Sequence, residues 1–153
     1  MSAVLKPTDG IRPMTEDDID RIMDIERATY KYPWTVGIFH DCLHVGYCCW
    51  VYDRDDEIEA YAVMSVGADE AHILTLVVKE SSRGQGLGRR MLTYLKDVAV
   101  QHKADTLLLE VRPSNDVAIN LYRSFGFNDL AIRPNYYPSD AGREDALIMA
   151  MNI

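Results

Sequence analysis

Residues Ser82–Arg90 read SRGQGLGRR, three alternating glycines set among arginines. Glycines at this density give the backbone access to positive φ and let main-chain N–H groups approach a ligand closely. An apolar run, His72–Val78, precedes the segment. After it Leu87, Met91, Leu92, Leu95 and Val98 recur on one side of a helix. The chain is thus committed to a strand, a glycine loop and a long helix in succession. A helix N-terminus carries unpaired N–H groups and the positive end of the helix dipole, so an anion is the natural occupant of such a loop. The alternative is a glycine turn that opens a helix and holds nothing.

Three phosphate-binding designs compete for the loop. A Walker loop ends in Gly-Lys-Ser/Thr, but Arg89 and Arg90 follow Gly88, so Mg²⁺-nucleotide chemistry has no support. A dinucleotide fingerprint needs a third glycine three residues after Gly86, where Arg89 stands. Glu110 lies near the distance expected of a ribose-binding acid, yet Lys79–Arg83 separates strand from glycines, which that fingerprint does not allow. The remaining design, Arg/Gln-x-x-Gly-x-Gly, is met by Arg83, Gly86 and Gly88. In it, N–H groups at a helix start wrap a pyrophosphate.

The 153 residues carry a net charge of −8, which argues against duplex DNA or an anionic membrane as main partner and favours an amine-bearing one. A chain of this length buries about two-thirds of its unfolded surface without disulfides or metals. Cys42, Cys48 and Cys49 lack C-x-x-C spacing and fit reduced thiols. No apolar stretch reaches signal-peptide or membrane-span length, so the expectation is a cytoplasmic protein.

The rest of the chain supplies one mixed α/β domain. Ile11–Met14 reads as a first strand and Thr15–Asp18 as a capping box, ahead of a helix with Ile19, Ile22, Met23 and Glu26 in phase that fades near Tyr30. Thr35 caps a short second helix through about Leu43. Tyr47–Tyr52 and Ile58–Val66 form a hairpin around Asp53–Glu57, and Thr106–Val111 follows the long helix as an apolar strand. Asn115 caps a helix carrying Ile119, Tyr122 and Phe125, which Gly126 ends. Phe127–Ile132 and Ala146–Met151 read as closing strands around a polar loop, Arg133–Asp145. His40 and His44 have zinc-protease spacing, but Asp41 replaces the usual Glu and no third ligand is evident, so no metal site is expected.

The glycine loop with its flanking strand and helix, followed by LLLEVRPSNDVAINLYRSFGF, resembles the GCN5-related N-acetyltransferase (GNAT) superfamily over nearly the whole chain. The family pattern N-x-x-A-x-x-L-Y-x-x-x-G-F is met at Asn115, Ala118, Leu121, Tyr122, Gly126 and Phe127. The resemblance implies a single domain over residues 1–153, with 1–10 as a short lead, about four helices, and a mixed, mostly antiparallel sheet splayed at its centre. It implies acetyl-CoA as cofactor. The pyrophosphate would rest on Arg83, Gly84, Gln85, Gly86, Leu87, Gly88 and Arg89, and the pantetheine arm along Leu76, Val77 and Val78. Asn115 and Tyr122 complete that set.

Tyr32-Pro33-Trp34-Thr35, LEVR at Leu109–Arg112 and the stretch from Arg133 to Ala146, with NYYP inside it, resemble the bacterial ribosomal-protein-alanine branch of that superfamily. This implies acetylation of the N-terminal alanine of a small-subunit ribosomal protein with a basic tail; a monomer is expected, and the charge leaves neither nucleic acid nor membrane as an expected partner. Tyr32, Trp34, Tyr136 and Tyr137 would line the peptide slot, with Asp140, Glu144 and Asp145 attracting the tail. Paired edge aromatics and a solvated acidic loop are the plainer readings. Arg83, where relatives often carry Gln, and the lead before Ile11 depart from the pattern. Other N-termini, lysines or small amines, and an acyl-CoA sensor without turnover, remain alternatives.

An α-amine is largely protonated at neutral pH, and a departing thiolate needs a proton, so the reaction wants a base and an acid. Glu110 is the only carboxylate within Thr106–Val111; burial there would raise its pKa and suit a base, and the resemblance points to the same residue. Pairing with an arginine such as Arg112 is the structural alternative. Tyr122 is either the acid or an ordinary core aromatic beside Ile119 and Phe125.

Overall fold

The computed structural model describes residues 10–153, so all but Gly10 of the N-terminal lead lies outside the described residues. Seven strands, β1 (Ile11–Pro13), β2 (Cys48–Arg54), β3 (Glu57–Gly67), β4 (Glu70–Val78), β5 (Thr106–Val111), β6 (Asn128–Ser139) and β7 (Gly142–Asn152), form one sheet in the order β1-β2-β3-β4-β5-β7-β6. Four helices accompany them, α1 (Ile19–Thr29), α2 (Val36–His44), α3 (Leu87–Gln101) and α4 (Asp116–Phe125). Only β4 and β5 pair in parallel, joined by the crossover helix α3; every other pairing is antiparallel. The fold class is the one the sequence implies, a mostly antiparallel mixed sheet.

Local chemistry sets the helix ends. The Thr15 N–H donates to Asp18 Oδ2 at 2.8 Å, closing a 3₁₀ turn that leads into α1. Thr35 Oγ1 accepts the Ile38 N–H at 3.2 Å and Asn115 Oδ1 accepts that of Ala118 at 3.2 Å, so α2 and α4 each start on a side-chain cap. The β2–β3 turn uses Asp55 and Asp56, both at positive φ, as a two-residue hairpin demands.

Each face of the sheet has its own core. Leu92 and Leu95 of α3 are buried with Leu107, Leu109 and Met149 of the sheet on one face, and Ile22 of α1 and Phe39 of α2 with Tyr61 and Val63 on the other. Truncating a fully buried leucine such as Leu95 to alanine costs about 2–5 kcal/mol.

One segment differs from the sequence reading. Arg133–Asp145 is not an extended polar loop: β6 and β7 run through it and meet at a turn over Asp140 and Ala141. β6 is an edge strand whose residues 128–136 are all exposed, so no alternation of apolar and polar residues marks it, and its register shifts between Arg133 and Tyr137. β7 is not terminal in the sheet but sits between β5 and β6.

Candidate active site

The central strands separate. Pairing of β4 with β5 ends at Ile73↔Leu109, although β4 continues to Val78 and β5 to Val111. A cleft of about 910 Å³ opens there, with Leu76, Val77 and Val78 on one wall and Ala118, Leu121 and Tyr122 of α4 on the other. Arg83, Gly84, Gly86, Leu87, Gly88 and Arg89 also line it, as do Asn115 and Tyr32. Of the residues expected at the cofactor, only Gln85 is not in the lining.

The glycine loop fits an anion on its own geometry. Gly84 and Gly86 have φ of +78° and +79°, and a Cβ at either would meet no atom within 4 Å, so conformation rather than crowding requires glycine. Gly86 is the N-cap of α3 and offers no side-chain cap, unlike Thr35 and Asn115. The first N–H groups of α3 therefore have neither a capping side chain nor intrahelical acceptors. Gly88 serves packing instead, because a Cβ there would lie 2.9 Å from Leu121 Cδ2 and its absence lets α4 approach α3. Arg83 Nε donates to the Val78 carbonyl at 3.1 Å, and Arg89 bonds Ser124, both bracing the loop.

Tyr122 and Glu110 occupy opposite faces of the sheet. Tyr122 packs in the α3–α4 core against Phe127, and burial pushes its phenol above the ordinary range, so it carries its proton at neutral pH. Glu110 alternates with Leu109 and Val111, which face α3 and α4, and so points to the other side. It is not in the lining of the cleft. Its side chain is 8% exposed, yet the surroundings are not apolar: His72 Nε2 lies 2.5 Å from Oε1 and Arg133 Nη1 3.8 Å from Oε2. The Tyr136 hydroxyl faces the same carboxylate. Arg112 instead pairs with Glu144 at 3.0 Å and donates to the Pro138 carbonyl at 2.9 Å.

The remaining expected residues divide. Tyr32 reaches the cleft and donates to Asp140 Oδ1 at 3.0 Å, where Lys31 also pairs at 2.5 Å; α1 and the β6–β7 turn are thereby clasped across the cleft. Trp34, Tyr136 and Tyr137 do not line it. Trp34 packs on Phe39 with ring centroids 5.3 Å apart, and Tyr137 stacks under Arg112 at 4.5 Å. Glu144 and Asp145 are likewise engaged, with Arg112 and with the Asn135 N–H. His40 lies 3.6 Å from Glu16.

Several residues escaped the sequence reading. Tyr30 lines the cleft with Tyr122, and burial pushes its phenol up. Glu26, also buried, accepts from the Tyr61 hydroxyl at 2.5 Å and the Trp34 N–H at 2.9 Å, fixing the chain between α1 and α2. Its helical phase gave its position, but nothing local announced the partners. His72 is revealed only by the β4–β5 register.

A glycine-loop cleft in a split, mostly antiparallel sheet defines an acyl-transfer class, and the sequence agrees: residues 19–127 match the acetyltransferase (GNAT) family. The chain belongs to that family and is an acetyltransferase. It is 38% identical over 143 residues to the ribosomal protein bS18-alanine N-acetyltransferase of Escherichia coli K12, covering 94% of this chain and 97% of that one. The crystal structure of the ribosomal-protein-S18-alanine N-acetyltransferase from Escherichia coli superposes with a TM-score of 0.86 at 38% identity, covering 94% of this chain and 92% of that one. Ard1 from Thermoplasma volcanium superposes at 0.85 with 27% identity, covering 94% and 96%.

Proposed function

We propose that this enzyme transfers an acetyl group from acetyl-CoA to the N-terminal alanine amine of ribosomal protein bS18, as a cytoplasmic monomer, by direct attack with both substrates bound. The observation that carries this reading is the parting of β4 and β5 beyond Ile73↔Leu109, with Tyr122 on one face and Glu110 on the other. Acetyl-CoA supplies the activated acyl group when bound. Gly84, Gly86 and the first N–H groups of α3 would hold its pyrophosphate, aided by Arg83, Gln85 and Arg89. The unpaired edge at Leu76–Val78 offers backbone groups to its arm.

On the other face Glu110 accepts the amine proton, and Tyr122 donates to the departing sulfur. The basic tail lies between α1 and the β6–β7 turn, with Tyr32, Tyr136 and Tyr137 around it; Trp34 supports that wall through its packing on Phe39. Identity to the Escherichia coli enzyme over most of both chains supports the choice of substrate. Intact-mass analysis of an Ala-Arg-type basic peptide incubated with protein and acetyl-CoA tests this. The expected outcome is one acetyl group on the α-amine, and none on the same peptide with a blocked N-terminus. Preferred modification of a free polyamine or an internal lysine would overturn it, and a protein that bound acetyl-CoA without turnover would be a sensor.

A further inference from the structure

His72 stands inside β4, a mostly apolar strand, and neither the glycine loop nor the cleft lining accounts for it. The parallel ladder sets His72 opposite Leu108, which puts Glu110 two residues further along β5 on the same face. The two side chains meet there, Nε2 to Oε1, at 2.5 Å. They differ in access: Glu110 is 8% exposed at its side chain and His72 35%. The carboxylate is enclosed and the imidazole is its way out to water.

We propose that His72 is a positioning residue that orients Glu110 and passes to solvent the proton Glu110 takes from the substrate amine. This rests on Glu110 being the base in the function proposed above. The other titratable or charged groups at the pair are Arg133, Tyr136 and Tyr137 of β6. Directly opposite, Ser65 on β3 and Ile148 on β7 bear no charge. Of the groups around the pair, only the His72 imidazole has two ring nitrogens, one able to take a proton while the other gives one up.

In the transfer itself the amine nitrogen bonds to the acetyl carbonyl carbon, and the carbon–sulfur bond breaks with its electron pair leaving on sulfur. The nitrogen's proton passes to Glu110 and on to Nε2 of His72 in its Nδ1–H tautomer. Nδ1 then releases its proton to water, which leaves Nε2–H donating to the carboxylate, and exchange with solvent restores the Nδ1–H tautomer for the next turnover. The sulfur takes its proton from Tyr122, which regains one from solvent. A carboxylic acid gives its proton readily to an adjacent imidazole, so Glu110 is reset for each turnover.

His72→Gln keeps a side-chain N–H donor for Glu110 but carries no proton, which separates orientation from proton transfer. We expect kcat to fall about 10-fold, with KM for acetyl-CoA and thermal midpoint unchanged and one ionisation lost from the pH–rate profile. His72→Ala, which also removes the orienting bond, is expected to fall further. In the native enzyme without substrate, NMR titration from about pH 5 to 9 is expected to move the His72 imidazole and Glu110 carboxyl signals through shared inflections, as coupled sites do. Full kcat and an unchanged profile for His72→Gln, or independent NMR titrations, would overturn the relay. The parallel variant Glu110→Gln identifies which reading failed. If it is inactive while His72→Gln is fully active, the relay falls and the base assignment stands. If it is fully active, the base assignment falls and takes the relay with it.

Discussion

At the start of α3 the first main-chain N–H groups have no side-chain cap, whereas around Glu110 the charged side chains already have partners. Both regions border the same split between β4 and β5. The difference matches what each is proposed to hold. A pyrophosphate presents the same shape in every turnover, so rigid backbone donors at a dipole suffice. A peptide amine must be admitted, deprotonated and released, which calls for side chains that exchange protons. His72 on Glu110, Arg112 on Glu144 and Lys31 on Asp140 keep the second region ordered before any tail arrives.

If this division holds, damage to each side should leave the other intact. Glu110→Gln is expected to lower kcat about 10²–10³-fold while acetyl-CoA binds as before, checked by steady-state kinetics and calorimetry. Gly86→Val should do the reverse. A β-branched residue is strained at φ +79°, and its side chain would stand in the proposed anion cradle, so affinity for CoA is expected to fall about 10–100-fold. In that variant kcat at saturating acetyl-CoA should change far less. A Gly86→Val protein with native CoA affinity would remove the loop from the cofactor site.

The two regions were unequally legible in the sequence, for the same physical reason. Gly84 and Gly86 answer to a local need, positive φ, that any reader of the chain can see. Thr35, Asn115 and the bounds of β5 are likewise local and match the sequence reading. The Glu110 face depends on register. His72 meets Glu110 only because β4 and β5 pair at Glu70↔Thr106, and no spacing along the chain encodes that. The motif marks Trp34 as a substrate residue, but its tilted packing on Phe39 is set by how α1 and α2 meet and is not encoded in the motif. Both closing strands are legible, but their continuation through Arg133–Asp145 is hidden, because an exposed edge strand with prolines at 134 and 138 lacks the alternation that betrays a half-buried one.

A third charge cluster, away from the split, tests whether pairing alone makes such groups important. Burial alone would push Asp18 up, but hydrogen bonds from Arg12 and from the Thr15 N–H outweigh this and hold its carboxyl at about 2. A folded pKa below the unfolded value of about 3.9 means a stabilising contribution fully present above pH 4 and lost as pH falls towards 2. Asp18→Asn is expected to cost about 1–2 kcal/mol in chemical unfolding at pH 7, with the deficit shrinking below pH 4. Activity per folded molecule should not change, which separates a structural ion cluster from the one at Glu110.

Asp140 should show the smallest effect. Its partners Lys31 and Tyr32 hold its carboxyl below the usual range, but the ion pair is exposed, at 66% for Lys31 and 72% for Asp140. Exposed pairs contribute little to stability, so Asp140→Asn should leave the thermal midpoint where it is. Its position across the cleft from the glycine loop gives it a different consequence. The lost charge should raise KM for a basic peptide about 2–5-fold at low ionic strength, and the gap should close in about 0.5 M salt, where exposed charges are screened. An unchanged KM at low salt would mean the clasp orders the turn without attracting the tail. In that case the overall negative charge of the chain, rather than this residue, would have to draw the substrate in.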